Sequence, residues 1–101
     1  MTIRVPWLPL LLALSTGARA QTLSVTLPGT GSPEPAIDRF GPGTLVEAGG
    51  QRFLFDAGRG VAQRLWQVDV RPGSLTNVLL TYLQSGHVVG LPVVWLTGWQ
   101  Q

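Results

Sequence analysis

The stretch TLVEAGGQRFLFDAGRG, from Thr44 to Gly60, decides how this chain folds. Thr44 to Ala48 and Gln51 to Ala57 are strand-like runs with Gly49-Gly50 between them. Two adjacent glycines accept φ > 0 at both positions, which a tight two-residue hairpin turn requires. The second strand ends in Asp56, straight after the apolar run Phe53-Leu54-Phe55. A carboxylate there is costly to bury unless it finds partners. Gly58-Arg59-Gly60 then breaks the chain.

Upstream of the hairpin, Thr22 to Leu27 alternates Leu23, Val25 and Leu27 with Thr22, Ser24 and Thr26, the pattern of a half-buried strand. Pro28 to Gly43 is dense in glycine and proline and reads as loop. Downstream, Val61 to Val70 places Val61, Ala62, Leu65 and Trp66 at helical spacing, with Arg71-Pro72-Gly73 as its end. Leu75 to Thr81 carries Val78-Leu79-Leu80, which suits a short buried strand, and Tyr82 to His87 follows as loop. Val88 to Trp99 is apolar, broken by Gly90 and Pro92, and predicts a short helix or irregular segment. Strand, loop, hairpin, helix, strand and apolar segment together predict an α/β layer whose sheet is covered on one face. Trp95 and Trp99 near the end look like one side of an interface.

The first twenty residues have a different character. Arg4 precedes the uncharged apolar run Val5 to Leu14, and small residues lead to Ala18-Arg19-Ala20. That order is a cleavable signal peptide, residues 1–20, which predicts export to a periplasm or the outside and a folded domain over residues 21–101. Ten apolar residues fall short of the roughly 20 a membrane-spanning helix needs, so no membrane association is expected after cleavage. The chain has seven basic and five acidic residues, and Arg4 and Arg19 leave with the signal. The remaining balance is neutral, so the sequence pI of about 10.5 gives no support to a nucleic-acid partner. With no cysteine, disulfides and thiolate metal sites are excluded.

Four segments carry a family resemblance: Leu27 to Pro35 (LPGTGSPEP), Arg39 to Val46 (RFGPGTLV), Phe53 to Gly60 (FLFDAGRG) and Leu80 to Pro92 (LTYLQSGHVVGLP). In order and spacing they resemble the start of the metallo-β-lactamase-fold hydrolases, in the branch of ribonuclease Z and arylsulfatase-like phosphodiesterases. The fold this implies for residues 21–101 is the N-terminal part of an αββα sandwich: strand, hairpin, helix, strand, short helix.

The resemblance also implies chemistry. In the family, the loop matching Thr81 to His87 reads T-H-x-H-x-D-H, and its imidazoles and carboxylate hold two metal ions, zinc or similar, that activate water. Here Tyr82, Gln84 and Gly86 stand at the His, His and Asp positions, and His87 alone matches. A phenol that titrates near pH ~10 and a neutral amide are poor ligands, and glycine offers none. Val93 stands where an acidic residue is usual. The family role of Asp56 is to support the metal ligands from behind; a cap on the Gly58–Gly60 turn is the equal alternative. The turn Gly29 to Pro33 is either an anion cradle of backbone N–H groups or a plain glycine turn.

These readings predict a truncated exported relative of a metal-dependent phosphodiesterase or ester hydrolase, with no cofactor and no catalysis of its own. The alternatives are a small exported binding module, or a hydrolase completed by a second chain. Self-association or a complementing chain through the Trp95/Trp99 surface is the expected partner mode.

Overall fold

The computed structural model describes residues 22–32 and 34–100, so the expected signal peptide over residues 1–20 lies outside the described residues. Four strands form one sheet in the order β1-β2-β3-β4: β1 (Leu23–Gly29), β2 (Gly43–Ala48), β3 (Gln51–Phe55) and β4 (Asn77–Leu79). The first three pair antiparallel and β4 runs parallel to β3. A parallel neighbour needs a crossover, and helix α1 (Val61–Gln67) supplies it. Two further helices follow β4, a single turn α2 (Ser85–Val88) and α3 (Leu91–Trp99).

The hairpin forms as the glycine pair predicts. Gly49 and Gly50 have φ of 57° and 77°, and the register pairs Ala48 with Gln51 and Leu45 with Leu54. Leu45 and Leu54 therefore share a face and are fully buried, in a core with Ala57, Val61, Ala62, Leu65, Val70 and Val94. Arg52 fixes the parallel edge to this hairpin. Its N–H donates to Thr76 Oγ1 (3.0 Å) and its carbonyl accepts from Thr76 N–H (2.7 Å). Its side chain reaches Glu47 (2.9 Å) and Ser74 (2.8 Å).

Several expectations are corrected. Leu23, Val25 and Leu27 do alternate along β1, but they are 65, 57 and 62% exposed. Val25 pairs with Val46, and Val46 with Phe53, so this apolar set lies on the face opposite Leu45 and Leu54, which the core cluster does not cover. β4 is not a buried strand, since Leu79 is 40% exposed at the open edge. Helix α1 stops at Gln67, earlier than Val70, because Asp69 turns left-handed (φ 58°) and Val70 N–H bonds back to the Leu65 carbonyl. That reversal buries Val70 and leaves Trp66 exposed. His87 lies on α2 rather than in a loop. Leu91 to Trp99 is regular helix, with Pro92 in the first turn where its missing N–H costs nothing.

Candidate functional site

The site lies where β3 and β4 end side by side. The parallel register places Phe55 opposite Leu79, so Asp56 leaves the sheet next to Leu80 and Thr81. Asp56 takes the left-handed conformation (φ 65°), which aspartate tolerates better than most residues. Its N–H donates to the Leu79 carbonyl at 2.8 Å, continuing the pairing one residue past the strand.

The Asp56 side chain is buried and fully engaged. Oδ1 accepts from the Thr81 N–H (2.8 Å) and Oδ2 from the Thr81 hydroxyl (2.6 Å). His87 Nδ1 is 3.0 Å from Oδ2, a close polar contact without the alignment of a hydrogen bond. Burial pushes the carboxyl pKa up, but the two Thr81 hydrogen bonds and the adjacent His87 outweigh burial and hold it below the usual value. Asp56 thus fastens both ends of the Thr81–His87 segment. It does not cap the Gly58–Gly60 turn by any hydrogen bond among the described residues.

Backbone packing places the other wall. Ala57 N–H donates to the His87 carbonyl and Gly90 N–H to the Ala57 carbonyl, both at 2.8 Å. A Cβ on Gly90 would overlap the Gly58 carbonyl oxygen, so only glycine lets α2 dock this closely. On its other side Gly58 lies against Gly41, and its N–H donates to the Pro42 carbonyl at 2.9 Å. The glycines of three of the resembling segments are thus one stack of contacting backbones. In the Gly29 to Pro33 turn, the Gly31 N–H is committed to the Phe40 carbonyl (2.7 Å), which favours the plain turn; Pro33 lies outside the described residues.

The structure brings Asp56, Thr81, Tyr82 and His87 together. Tyr82 meets the His87 ring edge-on at 5.6 Å and is 58% exposed. Gln84 is exposed, and Gly86 is buried with no side chain to offer. A zinc site takes three or four nitrogen, sulfur or carboxylate ligands. His87 offers one imidazole, and both Asp56 oxygens already accept from Thr81. Among the described residues no three His, Cys, Asp or Glu side chains assemble into a metal-holding group. These residues do not fit the dinuclear centre that the family implies. The reading from sequence did not single out Thr81 as the partner of Asp56, because that role depends on β4 lying parallel to β3.

Comparison with known proteins gives the lineage. The family model described as anti-Pycsar protein Apyc1 matches residues 23–100. Ribonuclease Z of Mycobacterium marinum is 54% identical over 77 residues, 76% of this chain and 28% of that protein. Among solved structures, the short form of human tRNase Z superposes with a TM-score of 0.71 at 31% identity, over 76% of this chain and 30% of that one. The metallo-β-lactamase-fold protein YhfI of Bacillus subtilis gives 0.70 at 23% identity, over 78% and 32%. The chain spans less than a third of the length of these relatives. It belongs to the family described as anti-Pycsar protein Apyc1 and corresponds to the N-terminal part of a metallo-β-lactamase-fold hydrolase.

Proposed function

We propose that this chain is an exported, metal-free relative of a metal-dependent phosphodiesterase or ester hydrolase that has no turnover by itself. The observation that carries the reading is the Thr81–His87 segment. It keeps the scaffold of a metal loop, with Asp56 fastened to Thr81 and set against His87. Only His87 offers a ligand from it, because Tyr82, Gln84 and Gly86 occupy the other positions. Water becomes a nucleophile near neutral pH when a metal lowers its pKa, and a metal needs several ligands held together. Hydrolysis of bis(p-nitrophenyl) phosphate with added zinc or manganese tests the reading. No rate above buffer is expected; turnover lost in His87→Ala contradicts it.

Export rests on the Arg4, Val5–Leu14 and Ala18–Ala20 pattern. Amino-terminal sequencing of secreted protein should begin at Gln21, and cytoplasmic protein that retains Met1 refutes export.

A second reading, a binding module or one half of a two-chain hydrolase, is favoured by one observation. Trp95 and Trp99 are 61 and 75% exposed and pack edge-on at 5.4 Å beside a groove of about 490 Å³. Large aromatic side chains at a groove are favoured anchors for a partner. A partner captured from the native host that is lost with Trp95→Ala and Trp99→Ala supports this reading, and unchanged capture removes it.

A further inference from the structure

Strand β1 is an edge of the sheet, and among the described residues no strand pairs with its far side. Which backbone groups face that side follows from the pairing. Arg52 turns both its N–H and its carbonyl toward Thr76, on the β4 side of β3. Along a strand these groups alternate between the two sides. Phe53 therefore bonds toward β2, to Val46, and Leu45 and Glu47 bond toward β1, to Thr26 and Ser24. Leu23 and Val25 are left with N–H and carbonyl groups directed at the open edge.

Open edges are commonly blunted by charge, proline or a bulge. Leu23 to Leu27 carries no charge and no proline, and its pairing with β2 shifts register only after Thr26. The sequence Leu23-Ser24-Val25-Thr26-Leu27 also reads nearly alike in both directions. Laid antiparallel on itself about Val25, it sets Leu23 against Leu27, Ser24 against Thr26 and Val25 against Val25. Every pair matches in kind, aliphatic on aliphatic and hydroxyl on hydroxyl. A two-fold interface between identical chains needs a patch that complements itself. A row without charge brings no like-charge repulsion to such an axis.

We propose that β1 pairs antiparallel with β1 of a second copy of this chain, about a two-fold axis at Val25, and joins two four-stranded sheets into one. The two Val25 residues exchange N–H···O bonds across the axis. Ser24 of one copy and Thr26 of the other form the closely spaced pairs without backbone bonds, where short side chains reach each other. The exposed side chains of Leu23, Val25 and Leu27 gain apolar neighbours on their own face. Pairing one short strand buries less than the roughly 800 Å² per partner of stable interfaces, so the dimer is reversible, with a dissociation constant in the range of about 10–100 μM. The Trp95/Trp99 surface lies beside β4, at the other end of the sheet, and takes no part.

Introduced cysteines test the register, since the chain has none of its own. Ser24→Cys and Thr26→Cys are prepared as separate proteins, mixed and mildly oxidised. Residues directly opposite in a closely spaced pair stand about 4.5 Å apart at Cα, within disulfide range, whereas two copies of residue 24 are offset along the strands and stand farther apart. Mass spectrometry should find disulfide dimers that join one protein of each kind, and few from either protein alone. Val25→Lys sets two like charges at the axis and should raise the dissociation constant in sedimentation equilibrium by about tenfold or more. Trp95→Ala with Trp99→Ala should leave that constant unchanged, and far-UV circular dichroism checks that each variant is folded. Cross-links as abundant from one protein alone as from the mixture overturn the inference. So does a dimer indifferent to Val25→Lys, a dimer lost with the tryptophans, or a chain that stays monomeric up to about 1 mM.

Discussion

Asp56 is the residue on which the site depends, and its burial is tolerable because Thr81 and His87 meet it. Its pKa is lowered on folding, so between its folded value and its ordinary value near 3.8 the unfolded chain binds the proton more readily. The stability it contributes is complete above that window and is lost as the pH falls through the folded pKa. Asp56→Asn should cost about 1–3 kcal/mol at neutral pH, since it leaves buried groups unmatched. It should also flatten this acid limb. Urea melts of both proteins from neutral pH down to about pH 2 check this, and parallel acid limbs would refute it. The ligand positions make a second prediction. Tyr82→His, Gln84→His and Gly86→Asp together should raise zinc affinity, because three ligands rejoin His87 on a segment whose scaffold remains. Calorimetric titration with zinc measures it, and an unchanged affinity shows that the Asp56 clamp does not hold the segment as argued. A prediction of this kind was open to sequence reasoning for the ligands, which are residue identities. It was not open for Thr81, whose role depends on β4 lying parallel to β3, a long-range pairing that no local pattern encodes.

At the scale of elements, backbone contact between Gly41, Gly58 and Gly90 sets how α2 and the loop before β2 dock on the end of β3. Gly90→Ala should destabilise by about 1–3 kcal/mol or prevent folding, because its Cβ meets a carbonyl oxygen that is itself part of the stack. The midpoint of urea unfolding reports it, and an unchanged midpoint shows that the stack has room to spread. Gly49-Gly50 and the 3.6-residue spacing of Val61, Ala62 and Leu65 made the hairpin and α1 legible, since each is a local rule. The end of α1 was not legible. Val70 falls four residues after Trp66, a spacing that suits a helix, and the left-handed turn at Asp69 wins by burying Val70. The buried face of β1 was misjudged for a related reason. Alternation reveals which residues share a face but not which face the helices cover, and here they cover the side of Leu45 and Leu54.

Across the whole molecule, one layer of helices covers one face of the sheet, while Leu23, Val25, Leu27 and Leu79 remain exposed on the strands. Trp95 and Trp99 add apolar surface on α3. Apolar area of that kind favours association, and so do open strand edges. The isolated chain should therefore sediment as a concentration-dependent oligomer or aggregate. Val25→Thr with Leu27→Thr should shift it toward monomer while keeping the strand propensity of β1. A monomer in sedimentation velocity at all concentrations would refute this. The central claim, that the fold has kept the scaffold of a metal hydrolase without the metal, is tested most directly by elemental analysis of the purified chain after exhaustive dialysis. The account predicts zinc, iron and manganese far below one equivalent; near-stoichiometric metal that His87→Ala removes would contradict it.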